Sequence, residues 1–250
     1  MGERHIETAW WGPPPDAAPS RVLLHEGPGR VSLWRDFPWR LADATGCGVF
    51  AYSRYGYGKS DPEPLPWPLS YMHREAEQVL PRVLDRSGVR RYVLVGHSDG
   101  DSIAAIHAGG VADARRADAV LIAPHFFTED AGLASIAAIR TQYQTGALRA
   151  RLARHHAHVD VAFGGWNGAW LDPCFRDWNI MDRVPRIDVP MLLLQGTADE
   201  YGSIEQVDAA ARAATVPTET VLLDGVGYAP HLERPDETLD AIARFVDRAI

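Results

Sequence analysis

Seven short apolar runs constrain this 250-residue chain more than any other feature: Ile6–Trp11, Arg21–Leu24, Gly48–Tyr52, Arg91–Val95, Ala119–Ala123, Val189–Leu194 and Thr220–Leu223. Most are apolar at nearly every position, whereas a strand with one wet face would alternate. Between most of them, apolar residues recur at helical spacing. Met72, Ala76, Val79, Leu80, Val83 and Leu84 do so within Ser70–Arg86, and Leu239, Ile242, Phe245 and Val246 within Pro235–Ala249. Further helices are expected over Ser32–Thr45, Ser98–Ala108 and Ile204–Ala214, with Pro81 a kink point in its helix. Fully apolar strands alternating with helices imply an α/β fold, a parallel sheet with helices on both faces.

The alternation fails once. From about His125 to Arg186 no strand is evident; helical stretches (Gly132–Tyr143, Leu148–His156) and a Trp-rich piece, Trp166–Trp178, stand there instead. The length fits one domain with an insertion. The expected organisation is a core of residues 1–124 and 187–250 with a helical lid over 125–186, placed where loops carry function. Extra helices packed on the sheet are the alternative.

The chemistry-bearing segment is Gly96-His97-Ser98-Asp99-Gly100. It fits G-x-S-x-G and lies between an expected strand and an expected helix. A nucleophile on that tight turn is strained, and its hydroxyl is displayed at the C-terminal edge of the sheet. The helix N-terminus behind it points backbone N–H groups at developing negative charge. A serine hydroxyl needs a base. His231, in the loop after the last strand, ends at the same edge and is the candidate. The base needs a carboxylate to fix its tautomer. Asp199, on the loop leaving Val189–Leu194, is placed for that, with Glu200 and then Asp224 as understudies. The oxyanion donors expected are the backbone N–H groups of Asp99 and Gly27, with Glu26 the alternative to Gly27.

These segments resemble the α/β-hydrolase superfamily over nearly the whole chain. The points of likeness are Leu24-His25-Glu26-Gly27-Pro28-Gly29, Tyr52-Ser53-Arg54-Tyr55-Gly56-Tyr57-Gly58-Lys59-Ser60, Gly96 to Gly100, Gln195-Gly196-Thr197-Ala198-Asp199 and Pro230-His231-Leu232-Glu233-Arg234-Pro235. The resemblance implies a mostly parallel eight-stranded sheet with a lid, and acyl-enzyme chemistry of the kind seen in esterases and carbon–carbon bond hydrolases. Three residues depart from the family pattern. Glu26 replaces a frequent Gly, Asp101 follows Gly100 where Gly is frequent, and Tyr228 stands in the first His place of Gly-His-x-Pro-His. None of them touches the expected triad.

The aromatics Phe126, Tyr143, Trp166, Trp170 and Trp178, with Glu26, are candidates to line a substrate pocket; the aromatics could equally form the lid's own small core. His97 reads as packing. His155 and His158 are three apart, but no matched ligand set accompanies them, and a solvated lid helix is expected. The segment Asp61 to Pro68 reads as a stiff proline-rich loop. No metal or cofactor is expected.

A formal charge of -8 and the lack of any Lys/Arg run argue against nucleic-acid or anionic-membrane partners. No apolar stretch approaches the roughly 18–20 residues of a membrane span, and no secretory signal follows Met1. Cys47 and Cys174 read as two free thiols. A cytoplasmic protein acting on a small-molecule substrate is expected; a homodimer stays open. The chemistry expected is hydrolysis of a carboxylic ester, thioester or lactone of a small, largely apolar molecule. Carbon–carbon bond hydrolysis or cofactor-free perhydrolysis with the same triad, and a biosynthetic cyclase or ligand-binding role, are the alternatives. Epoxide hydrolase and haloalkane dehalogenase chemistry is disfavoured, because those relatives use Asp where this chain has Ser98.

Overall fold

A computed structural model describes residues 4–246; the first three residues, and the end of the closing helix expected to reach Ala249, lie outside the described residues. Seven strands form one sheet: β1 (Thr8–Trp11), β2 (Ser20–Leu24), β3 (Gly48–Tyr52), β4 (Tyr92–His97), β5 (Arg116–Ile122), β6 (Met191–Gly196) and β7 (Thr218–Leu223). Their spatial order is β1-β3-β2-β4-β5-β6-β7. β1 pairs antiparallel with β3 and every other pairing is parallel. The sheet therefore has seven strands among the described residues, not the eight that the resemblance implied. The seven correspond to the seven apolar runs, and a strand covered on both faces needs such a run.

Side-chain alternation along the strands divides the core in two. Leu24, Tyr92, Leu94, Leu121 and Leu193 point to one face. Leu23, Val93, Val95, Val120 and Leu194 point to the other. On the second face lie α1 (Phe37–Thr45) and, at the far end of the chain, Leu239, Ile242, Phe245 and Val246 of the closing helix. The first face receives α2 (Tyr71–Arg74), α3 (Leu80–Ser87) and α4 (Asp99–Gly110). Between β5 and β6 come α5 (Asp130–Gln144), α6 (Ala147–Leu152) and α7 (Val159–Trp170). After β6 follow α8 (Ile204–Ala213), the single turn α9 (Pro230–Glu233) and the closing helix α10 (Pro235–Val246).

Three expected helices differ in detail. The one over Ser32–Thr45 is split: a 3-10 turn, Val31–Trp34, ends at Arg35 with φ 54°, and α1 starts afresh. Pro38 sits in the first turn of α1, where its missing N–H costs nothing. The one over Ser70–Arg86 widens to a π-turn at Glu75–Val79. Pro81 has no N–H to donate to the carbonyl four residues back, so the helix widens rather than kinks sharply. The third, over Leu148–His156, stops at Leu152. His155, His156 and His158 thus lie on the link to α7 and not on a solvated helix face. No helix among the described residues is long and apolar enough to cross a membrane.

Candidate active site

Ser98 occupies the turn between β4 and α4 with φ 54° and ψ -118°, a costly backbone conformation for a residue with a side chain. The turn is fixed from both sides. The Ser98 N–H donates to the Ile122 carbonyl at 3.0 Å, and the Ser98 carbonyl accepts from Asp101 and Ser102 at 2.8 and 3.1 Å. A Cβ on Gly100 would lie 1.9 Å from the Leu24 carbonyl oxygen, so only glycine lets α4 pack on the end of β2. That approach sets Ser98 beside the His25-Glu26-Gly27 loop. Neither the Gly27 N–H nor the Asp99 N–H has a backbone acceptor among the described residues, which leaves both free for an oxyanion.

A buried charge pair holds this arrangement, and sequence reasoning did not find it. Arg54, at the end of β3, donates to the carbonyls of His25 and Glu26, the latter at 3.2 Å. Its guanidinium also lies 3.6 Å from the Asp99 carboxylate. Asp99 accepts in turn from the Tyr71 hydroxyl at 2.6 Å and from Trp170 Nε1 at 3.0 Å. The two peptides that would bind an oxyanion are thereby tied to one buried ion pair, and α7 is tied to the same carboxylate. The only sequence sign was a charged residue two positions after a buried strand.

The members of the expected triad are not hydrogen-bonded to one another among the described residues. His231 is buried, with ring neighbours Trp34, Phe37 and His97 and an Nδ1 that has no hydrogen-bond partner. No hydrogen bond or ion pair joins it to Ser98 or Asp199 among the described residues. Burial holds its imidazole well below the ordinary value, with the His97 and Arg35 charges adding, so the ring is neutral. Asp199 accepts instead from Gln195 Nε2 at 3.0 Å and from the Tyr201 N–H at 2.8 Å. Burial pushes the Asp199 carboxyl up, against the backbone N–H groups of Tyr201 and Gly202 and the charges of His125 and His97. The short helix α9 is the physical reason for the change. It turns the chain so that position 231 packs on Trp34 and Phe37, while position 228, in the loop before it, packs on His97 and Tyr201.

Tyr228, in the loop before α9, packs against His97, the residue before Ser98. Burial, with the charge of Glu26 adding, pushes its phenol well above the ordinary value. Its carbonyl accepts from His97 Nε2 at 2.9 Å, and its ring lies 4.6 Å from those of His97 and Tyr201. His97 Nδ1 lies 3.6 Å from Glu26 Oε2. Two of the three departures singled out in the sequence, Glu26 and Tyr228, therefore lie against His97, the residue before Ser98. The signal was present, because Tyr228 stands in a family histidine position. The third, Asp101, is fully buried with Oδ2 unpartnered, and burial holds its carboxyl well above the usual range and hence neutral.

The pocket candidates divide. Trp166 lies on the oxyanion loop, since a Cβ on Gly27 would meet its indole at 2.2 Å. Trp170 reaches Asp99, and Trp178 packs one layer behind, against Trp170 and Phe175. Tyr143 stacks on Phe163 at 3.7 Å and donates to Asp160, so it belongs to the packing of α5 on α7. Phe126 is sealed, with its N–H bonded to Gln206. His156 clamps the link before α7. Its Nδ1 accepts from the Gly58 N–H at 3.0 Å, so Nε2 carries the proton and donates to the Pro28 carbonyl at 3.1 Å. Cys47 is buried and Cys174 exposed, both free. Among the described residues no group of three or more His, Cys, Asp or Glu could hold a metal ion.

A sequence model of the alpha/beta hydrolase family matches residues 22–241. Epoxide hydrolase A of Mycobacterium tuberculosis is 34% identical over 85 residues, 33% of this chain, and the match spans 26% of that protein. Among solved structures, the proline iminopeptidase of Mycobacterium smegmatis superposes with a TM-score of 0.77 at 18% identity, over 99% of this chain and 96% of that one. The enol-lactonase of Burkholderia xenovorans LB400 gives 0.76 at 17%, over 98% and 97%. At these identities the solved structures show a shared fold.

Proposed function

The chain belongs to the alpha/beta hydrolase family, and on that footing we propose that it is a serine hydrolase. Its Ser98 attacks the carbonyl carbon of a carboxylic ester, thioester or lactone of a small, largely apolar molecule. One observation carries the reading: a serine at φ 54° on a strand-to-helix turn, with the N–H groups of Asp99 and Gly27 free of backbone acceptors among the described residues. A bond forms from Ser98 Oγ to the carbonyl carbon as the serine O–H breaks, the charge on the carbonyl oxygen is met by the N–H groups of Asp99 and Gly27, and the serine proton ends on the group expelled. Collapse expels the leaving group, and water then releases the acyl part. One such donor is worth about 10²–10³ in rate.

Residues 125–186 act as a lid over a core of 1–124 and 187–250. The contacts of Trp166 with Gly27 and of Trp170 with Asp99 support this, because they set α7 over the nucleophile. The reading is tested with a fluorophosphonate probe, a panel of aryl esters, thioesters and lactones, and mass spectrometry of trapped acyl-Ser98. Labelling and turnover are expected, and Ser98→Ala abolishes both. A folded protein that neither labels nor turns over any of these refutes it. The second reading is a ligand-binding protein on this fold, favoured by the lack of any imidazole on Ser98. Binding that survives Ser98→Ala, with no turnover in the parent, is its signature.

A further inference from the structure

A cleft of about 650 Å³ opens beside β1, and none of its lining comes from the elbow, the oxyanion loop or α7. Its volume falls in the range of about 300–1,000 Å³ that small-molecule sites occupy. Two elements with matching faces build it. Arg4, Ile6 and Thr8 alternate along the chain into β1 and so share one side. Opposite them, Val79 and Val83 stand four positions apart on the π-turn and α3, as do Arg82 and Arg86 on α3. Phe50 of β3 completes an apolar lining of Ile6, Phe50, Val79 and Val83.

The cations of this cleft are spare. Arg82 and Arg86 are exposed and have no hydrogen-bond or ion-pair partner among the described residues. Arg4 pairs with Glu63 at 2.7 Å and lies 3.7 Å over the Tyr55 ring. Glu63 has a second cation in Arg74 at 3.5 Å, so Arg4 can turn to an incoming anion without stranding that carboxylate. Asp85, the one carboxylate of the lining among the described residues, is paired with Arg115 at 2.9 Å. In a chain of formal charge -8, three arginines on one apolar cleft are a local reversal of sign.

We propose that this cleft is a second binding site, separate from Ser98, for a small amphipathic carboxylate. The apolar chain of the ligand lies on Ile6, Phe50, Val79 and Val83, and its carboxylate meets the guanidinium groups of Arg82 and Arg86. A guanidinium fork matches the two oxygens of a carboxylate, which makes such pairs strong for their size. Neither half of the ligand binds well by itself. An exposed arginine holds a bare carboxylate weakly, because water screens the pair. An uncharged chain gains the apolar contact and nothing from the arginines. The site therefore selects molecules that carry both, and it does so whether or not Ser98 is a nucleophile.

The experiment measures decanoate binding to the full chain by calorimetry, below the concentration at which decanoate forms micelles, with melting curves as the folding control. A diazirine-bearing decanoate, mapped by mass spectrometry, locates the site. Cross-links are expected on residues 4–8 and 79–87, and unlabelled decanoate suppresses them. Arg82→Gln combined with Arg86→Gln is expected to weaken decanoate by about tenfold or more, the loss of one charge-assisted contact. Thr8→Trp fills the cleft from an exposed position on β1, where an aromatic side chain is well tolerated, and is expected to abolish binding. Acetate and decanol are each expected to bind about tenfold or more weakly than decanoate. Ser98→Ala is expected to leave affinity and cross-links as in the parent. Unchanged affinity in the folded double variant or in folded Thr8→Trp overturns the proposal, as does decanol binding as tightly as decanoate. Cross-links confined to α7 and the residues around Ser98, or lost in Ser98→Ala, place decanoate at the elbow and overturn it too.

Discussion

His156 offers the sharpest quantitative prediction. Burial, opposed by its bond to the Pro28 carbonyl and aided by the charges of Arg30 and His155, lowers its pKa from 6.5 to about 4. Because the folded value lies below the unfolded one, the stability this residue contributes is complete above pH 6.5 and is lost as pH falls toward 4. The structure gives the reason. Protonation places a hydrogen on Nδ1, where it would face the Gly58 N–H that Nδ1 now accepts. Between pH 8 and pH 5 the unfolded imidazole is almost fully protonated and the folded one about one-tenth so, which removes about 2 kcal/mol. Replacing His156 with Leu leaves the Gly58 N–H and the Pro28 carbonyl without partners, at a cost of about 2–5 kcal/mol at pH 8. At pH 5 the parent has already lost its share, so the gap between parent and variant narrows by about 2 kcal/mol, or about 4–8 °C in Tm for a domain of this size. Urea unfolding followed by tryptophan fluorescence at pH 8, 6.5 and 5 measures the gap. Other buried histidines titrate alike in both proteins and cancel. A gap constant to within about 0.5 kcal/mol across that range refutes the argument.

Two further substitutions test the charges around the elbow. Arg54→Met leaves the Asp99 carboxylate and two loop carbonyls without their cation. A loss of about 3–5 kcal/mol is expected, together with slower Ser98 labelling in whatever fraction stays folded, while an unchanged urea midpoint would show that the pair does not hold the loop. Asp101→Asn replaces a carboxyl that burial keeps neutral. With a folded pKa above the unfolded one, the parent loses stability as pH rises past the ordinary carboxylate range, so the variant should gain in Tm at pH 8 relative to pH 4. An equal difference at both pH values contradicts that sign.

Much of the fold was legible because burial on both faces writes itself into composition. β4 and β5 are apolar at almost every position between covering helices, and this required a parallel sheet before any coordinates. The elbow was equally legible, since Gly100 is demanded by its approach to the Leu24 carbonyl, a local constraint that a local motif can carry. Helix ends were less so: the break at Arg35 and the early stop at Leu152 depend on neighbours that periodicity does not encode.

What Tyr228 and His231 pack against was decided by the tertiary structure. His231 and Tyr228 stand three positions apart in one loop, and both lie at the correct edge of the sheet. Nothing in hydrophobic period fixes which way a loop side chain turns. The one-turn helix α9 and the packing of His231 against Trp34 and Phe37 settle it by burying the imidazole on the α1 side. Likewise the link from Arg54 through Asp99 to Trp170 joins residues 54, 99 and 170, whose meeting depends on three separate elements converging. The sequence by itself determined the scaffold and the tight turn at Ser98, because each follows from short-range geometry or burial. Only the folded chain determined what each side chain of the loop after β7 packs against, because those contacts join segments far apart along the chain.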